Sequence, residues 1–256
     1  MRKLPSAARL ARIRERFASE AGVSVADLAR EFGVSEMTIR RDLSQLEGQS
    51  HIHRTHGGAV LTGRMLLEFD YRDRREANRD AKQAIAREAR KLVKPGQRLI
   101  LDNGTTTLEL ACLLRDGENL TVITPSLAVA SELLDAPGVE VILLGGVIRR
   151  GSPDLTGPVT EHCLELFSAD ITFQGTDGIG LDGKLYNADL RLARVEKHMR
   201  RIARRSIVLA DHTKIGRTAL ACSGKLSDID TLITDRAASA EALRRLSKLG
   251  VRTVTV

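Results

Sequence analysis

Apolar positions along this 256-residue chain follow two different rhythms. Near the N-terminus they recur at helical spacing: Leu10, Ile13 and Phe17, then Val25, Leu28 and Ala29, then Ile39, Leu43 and Leu46. A helix is expected from Ser6 to about Ala21, followed by two shorter ones. A further helix starts near Asn78, with Ala81, Ile85, Ala86 and Ala89 on its inner face, and stops at Pro95-Gly96. From Arg98 onward, short apolar runs alternate with amphipathic stretches. Strands are predicted at 99–101, 120–123, 139–144, 171–173, 207–209 and 231–233, and helices at 108–114, 127–134, 158–167, 189–204 and 238–248. Such alternation predicts an α/β fold with a mostly parallel sheet covered by helices. The highly charged stretch between the two patterns reads as a linker. The expected domains are therefore 1–62, a linker at 63–80, and 81–256.

The two short N-terminal helices have a specific character. Gly33 stands between them and can take the positive φ of a tight helix–helix turn. Ser35 is a good N-cap for the second. Opposite the stripe of Ile39, Leu43 and Leu46, that second helix carries Met37, Arg41 and Ser44, with Thr38 and Arg40 on its flanks. An amphipathic helix with arginines outward, following such a turn, has the form of a major-groove recognition helix. Next comes His51-Ile52-His53-Arg54-Thr55-His56-Gly57-Gly58-Ala59-Val60, whose alternation and Gly-Gly turn predict a two-stranded wing. Ser35, Met37, Thr38, Arg40, Arg41, Ser44 and Arg54 are the candidate contacts to double-stranded DNA. Met37, Arg41 and Ser44 would face bases; Thr38, Arg40 and Arg54 would grip phosphate. The three wing histidines have no cysteine or carboxylate partner at ligand spacing, so no metal is expected.

Charge supports a polyanionic partner for the first domain. Residues 1–64 hold 11 Lys/Arg against 7 Asp/Glu, a net +4 of the chain's +7. No run of about 18 apolar residues is present to span a membrane, and the basic N-terminus lacks a signal-peptide core, so a cytoplasmic location is expected. Cys112, Cys163 and Cys222 are odd in number and far apart, and are expected to be buried, reduced thiols.

The second domain places small, polar loops where its strands end. They are Asp102-Asn103-Gly104-Thr105-Thr106-Thr107, then Thr124-Pro125-Ser126, Gly145-Gly146, Gly175-Thr176-Asp177-Gly178, and Asp211-His212-Thr213-Lys214. In open α/β sheets ligands sit beyond the carboxyl ends of the strands. Backbone N–H groups, hydroxyls and Lys214 there fit a small phosphorylated, hydroxyl-rich molecule. The candidate ligand contacts are Asp102, Asn103, Gly104, Thr105, Thr106, Thr107, Thr124, Ser126, Gly145, Gly146, Gly175, Asp177 and Lys214. The full Walker A pattern G-x-x-x-x-G-K-[ST] does not occur, so no nucleotide and no cofactor is expected.

Across nearly its whole length the chain resembles the DeoR family of bacterial transcriptional regulators. The resemblance rests on Ser35-x-x-Thr38-Ile39-Arg40-Arg41-Asp42-Leu43, Arg54-Thr55-His56-Gly57-Gly58-Ala59, Asp102–Thr107, Leu144-Gly145-Gly146, Thr156-Gly157, Asp211-x-x-Lys214 and Ile233-Thr234-Asp235. It implies an N-terminal winged helix-turn-helix and a C-terminal sensor domain similar to ribose-5-phosphate isomerase and CoA-transferase folds. It also implies a repressor of carbohydrate catabolism genes, released from its operator by a phosphorylated sugar or related metabolite and working as a homodimer or homotetramer. The alternative is a sugar-phosphate isomerase-like enzyme, with Asp102 or Asp177 as base and Lys214 beside an enediolate. No paired acid and base stands out for it, and an enzyme has no need of a winged helix. Three departures from the family pattern concern ligand choice, that of Arg194 and Glu196 only if they face the pocket, since the exchange is neutral if they face solvent. Pro125 stands where asparagine is common, and Arg194 and Glu196 exchange the usual charge signs.

Overall fold

A computed structural model describes residues 5–6, 8–10, 12–13, 22–49, 52–55, 58–61, 71–149 and 151–256. The chain divides into two units, Met1–Asp70 and Tyr71–Val256.

In the first unit, α1 (Val25–Phe32) and α2 (Glu36–Gln49) form the helix-turn-helix. Ser24 Oγ accepts from the Asp27 N–H at 3.1 Å and so caps α1. Gly33, at φ 62°, ends it, and the Val34 N–H returns to the Ala29 carbonyl at 3.1 Å. Ile13, Val25, Leu28, Ala29, Phe32, Ile39 and Leu43 make one buried cluster. The wing is three-stranded rather than two-stranded. Strands β2 (Ile52–Thr55) and β3 (Gly58–Leu61) pair antiparallel, and β1 (Gly22–Ser24) joins the other edge of β3. Three residues are too few to show alternation, which hid β1 in the sequence. Of the first expected helix, residues 6, 8–10, 12 and 13 are helical. Phe17, and the side chains of Ser44, Leu46, Arg54 and the wing histidines, lie outside what is described.

The second unit opens with α3 (Tyr71–Glu76) and α4 (Arg79–Arg90). Residues 71–80, expected to be linker, are thus largely helical, and Tyr71 packs against the core of the second unit. The central sheet contains β4 (Arg98–Leu101), β5 (Leu120–Thr124), β6 (Val139–Leu143), β9 (Ala169–Gln174), β12 (Ala203–Leu209), β14 (Thr231–Thr234) and β15 (Arg252–Thr255). All seven are parallel, in the order β15-β14-β12-β9-β4-β5-β6. Alternate residues serve opposite faces. Leu99, Leu101, Ile171 and Phe173 join the cluster under α4, α5 (Thr105–Leu114) and α6 (Leu127–Leu133). Ile100 and Ile123 join the cluster under α7 (Pro158–Glu165) and α8 (Leu190–Ile202).

Sequence order carries the chain from β4 outward through β5 and β6, then back to β9 on β4's other side. A topological switch point therefore lies between β4 and β9. Two smaller assemblies decorate the unit: the hairpin β7 (Val147–Ile148) and β8 (Leu155–Thr156), and a sheet of β10 (Gly178–Ile179), β11 (Lys184–Asn187) and β13 (Ala221–Lys225). The cysteines are free thiols as expected, but they are not buried. Cys112 and Cys163 are half-buried and Cys222 is exposed.

Candidate functional site

The outer face of α2 is built by its buried one. Ile39 and Leu43 are fully buried, which turns Met37, 71% exposed, and Arg41 outward. Ser35 Oγ accepts from the Thr38 N–H at 3.2 Å and meets the Thr38 hydroxyl at 2.9 Å, so both residues serve the cap. Arg40 pairs with Glu36 one turn back at 3.2 Å. One residue that the sequence reading did not single out holds the helix in place. Asp42 is buried and takes two hydrogen bonds from Arg9, at 2.5 Å from Nε and 3.1 Å from Nη2. Its position beside Leu43, on the inward flank, was the available signal: an acid there needs a buried partner.

The second unit contains a cavity of about 100 Å³ at the carboxyl ends of β4, β9 and β12. It sits at the switch point. Asp102, Asn103, Gly104, Thr105 and Thr106 line it after β4, Gly175, Thr176 and Asp177 after β9, and Asp211, Thr213 and Lys214 after β12. The expected helix 108–114 begins three residues earlier, at Thr105. Its N-cap, Gly104, has no side chain to satisfy the first N–H groups, and its first turn holds no acid. A helix N-terminus left open toward a cavity attracts anions.

Charge within the cavity is dense. Arg74, Lys82 and Lys214 line it, as do Asp102, Asp177, Glu196 and Asp211. Burial raises the Asp102 carboxyl to about 6, with the Asn103 and Gly175 N–H groups opposing and Asp154 and Asp177 adding to the rise. Glu196 is pushed well above the usual carboxylate range by burial and by Asp102. Burial lowers Lys82 to about 8, against the pull of Asp211. Burial also lowers Lys214. Neighbouring cations press in the same direction on both lysines. An anion among these three cations would relieve that crowding.

Five expected ligand contacts do not line the cavity. The Thr107 hydroxyl turns back to the carbonyls of Asp102, at 2.8 Å, and Gly104, at 2.6 Å. The Thr124 hydroxyl bonds the Leu101 carbonyl at 2.7 Å, and Ser126 caps α6 through the Val129 N–H at 3.2 Å. Gly145 and Gly146 pack against α7. The Gly145 carbonyl accepts from Thr160 at 2.8 Å, and a Cβ on Gly146, at φ +149°, would lie 2.0 Å from Thr160 Oγ1. These loops follow β5 and β6, which run away from the switch point. Pro125 belongs to the same excluded loop. Of the charge-exchanged pair, Glu196 lines the cavity, whereas Arg194 bonds Glu161 at 2.9 Å outside it.

Arg74, Asn78, Lys82 and Asn187 line the cavity without having been expected there, and Glu196, singled out in the sequence for its exchanged charge, lines it too. Two of them carried a legible signal. Lys82 shares the inward register of Ile85, Ala86 and Ala89, and Glu196 that of Leu192 and Met199. Among the described residues no group of His, Cys, Asp and Glu is placed to hold a metal, and no helix is long and apolar enough to cross a membrane.

A winged helix-turn-helix joined to an α/β unit with an anion-receptive cavity defines a ligand-responsive DNA-binding protein. Comparison with known proteins identifies the kind. Residues 9–64 match the DeoR-like helix-turn-helix domain, and residues 77–236 match the DeoR C-terminal sensor domain. The chain is 35% identical over 244 residues to the putative aga operon transcriptional repressor of Escherichia coli O157:H7, covering 94% of this chain and 91% of that one. It is 33% identical over 213 residues to the glycerol-3-phosphate regulon repressor of Escherichia coli K12, covering 83% and 84%. Ribose 5-phosphate isomerase A of Methanocaldococcus jannaschii is similar at 22% identity and a TM-score of 0.41, over 54% of this chain and 55% of that one. At that score the likeness bears on neither activity nor site. The chain belongs to the DeoR family: it is a DNA-binding transcriptional regulator and not an enzyme.

Proposed function

We propose that this regulator represses carbohydrate catabolism genes, and that a phosphorylated sugar or related metabolite entering the switch-point cavity releases it from operator DNA. The observation that carries the reading is the open N-terminus of α5 facing Arg74, Lys82 and Lys214 inside one small cavity. Cationic side chains with uncapped N–H groups suit a phosphate. The acceptors Asp102, Asp177 and Glu196 suit the hydroxyls of a sugar. On the output side, Met37, Arg41 and Ser44 read base edges, while Ser35, Thr38, Arg40 and Arg54 set register on phosphates. The family resemblance supports a cytoplasmic homodimer or homotetramer, which sedimentation of the full chain would resolve.

The test is a thermal-shift screen of the full chain against sugar phosphates, followed by operator release with each hit. A ligand at 100 times its Kd should add about 2.7 kcal/mol of stability. Arg41→Ala should cost about 1–3 kcal/mol of operator affinity and relax base preference at one position. The reading fails if no phosphorylated sugar both stabilises the protein and weakens operator binding.

A further inference from the structure

The first segment of the sensor unit is built into the cavity wall. Tyr71–Glu76 is the first described element after the stretch that leads from the DNA-binding unit. Its end and the turn beyond it supply Arg74, Ala77 and Asn78 to the lining, and α4 supplies Lys82. The Lys82 ammonium donates to the Ala77 carbonyl at 2.6 Å and to the Arg74 carbonyl. That same Arg74 carbonyl accepts from the Thr105 hydroxyl at 3.4 Å, and Thr105 is the first residue of the helix whose N-terminus is open. Asn78, held at φ 51°, reaches Asp211 Oδ1 at 3.4 Å.

Two donors on this segment are spare. An ammonium has three N–H groups, and two of those on Lys82 are used. Arg74 Nε is buried without a partner, and its guanidinium stands 3.9 Å from Asp177, a loose pair, and 5.9 Å from the Tyr71 ring centre. A buried donor without an acceptor is costly, and an anion between Thr105 and these cations would satisfy it.

We propose that Lys82 and Arg74 complete the anion site, and that by bridging the bound anion to the carbonyls at the end of α3 they make Tyr71–Asn78 the segment that carries the ligand signal toward the DNA-binding unit. This rests on the cavity being the effector site. Without an anion, the α3 end is held by the Lys82 bonds, the long Thr105 contact and the loose Arg74–Asp177 pair. With an anion bound, both cations are pinned to it, and the α3 end is fixed to the same group as the N-terminus of α5.

The test uses the full chain, with inorganic phosphate as probe and amide hydrogen exchange as readout. Phosphate should protect the Thr105 and Thr106 amides and slow exchange across 71–78 by roughly fivefold or more. Lys82→Met should weaken phosphate binding about tenfold and abolish the slowing at 71–78 even at saturation, whereas Lys82→Arg should keep both. Protection at Thr105 and Thr106 without a change at 71–78 overturns the proposal and leaves the effector cavity standing. A Lys82→Met protein that binds and responds like the wild type overturns it too. Failure of phosphate to protect any cavity amide in the wild type removes both the proposal and the cavity reading. Should Lys82→Met not fold, the wild-type exchange map alone decides.

Discussion

Replacing Asp42 by asparagine tests what holds the recognition helix. The Arg9 and Asp42 side chains are only 8% and 5% exposed, and two hydrogen bonds at 2.5 and 3.1 Å join them. This places the pair with buried ion pairs, whose disruption costs about 3–5 kcal/mol, and not with surface pairs worth about 0–1 kcal/mol. Asparagine keeps one acceptor but removes the charge, so the lower end, about 3 kcal/mol, is expected. A domain of ordinary stability has about 5–15 kcal/mol in total. At about 1.4 kcal/mol per decade, the unfolding constant of the N-terminal unit rises about 150-fold. Urea unfolding of the full chain should show an early transition moving to lower urea while the sensor transition stays in place. Operator affinity should fall more steeply with temperature than in the wild type, because folding and binding are linked. A double replacement, Arg9→Met with Asp42→Leu, should recover most of the lost stability, since it buries no unpaired charge. A shift below about 1 kcal/mol for Asp42→Asn would refute the placement of this pair in the buried class.

Other outcomes follow from the same structure. Gly146→Ala should destabilise the sensor unit by about 2 kcal/mol or more, through the clash with Thr160 and the positive φ, while ligand affinity of the folded fraction is unchanged; calorimetry and titration together check both halves. Effector affinity should decline as pH rises through about 8, because Lys82 binds the anion as an ammonium and loses its proton there; titration from pH 7 to 9 should show up to about a tenfold loss per pH unit above that point. Glu196→Gln should alter the order of preference among sugar phosphates while leaving inorganic phosphate affinity within about threefold, as Glu196 lines the cavity, its carboxyl bonded to Asn187, but is no part of the anion cradle.

The inner parallel strands were legible as short apolar runs buried on two faces, as Leu99-Ile100-Leu101 is, and the edge strand β6 by its own apolar run Val141-Ile142-Leu143-Leu144. Arg252–Thr255 was not, since an edge strand needs one protected face and carries a mixed pattern. The loops that reach the cavity announced themselves by glycine, hydroxyls and carboxylates at strand ends. Which of those loops converge depends on strand order, and strand order is set by crossovers that no local pattern reveals. Thr124–Ser126 and Gly145-Gly146 therefore looked equivalent to Asp102–Thr107, although they lie one and two strands beyond it. Lys82 was hidden for another reason. Charges on helices are taken as solvated unless their register with neighbouring apolar residues is checked.

The cavity draws on segments from Arg74 to Lys214, so no early portion of the chain can form it. The helix-turn-helix, by contrast, has its own core and wing by Leu61. During synthesis at about 5–20 residues per second, roughly 8–30 seconds separate the emergence of these two points. Throughout that interval a nascent polypeptide carries a finished DNA-reading element but is deaf to any metabolite. On the proposed reading of the cavity as the effector site, each molecule begins its life on the ribosome insensitive to induction, and acquires its off-switch only when Lys214 has joined the fold.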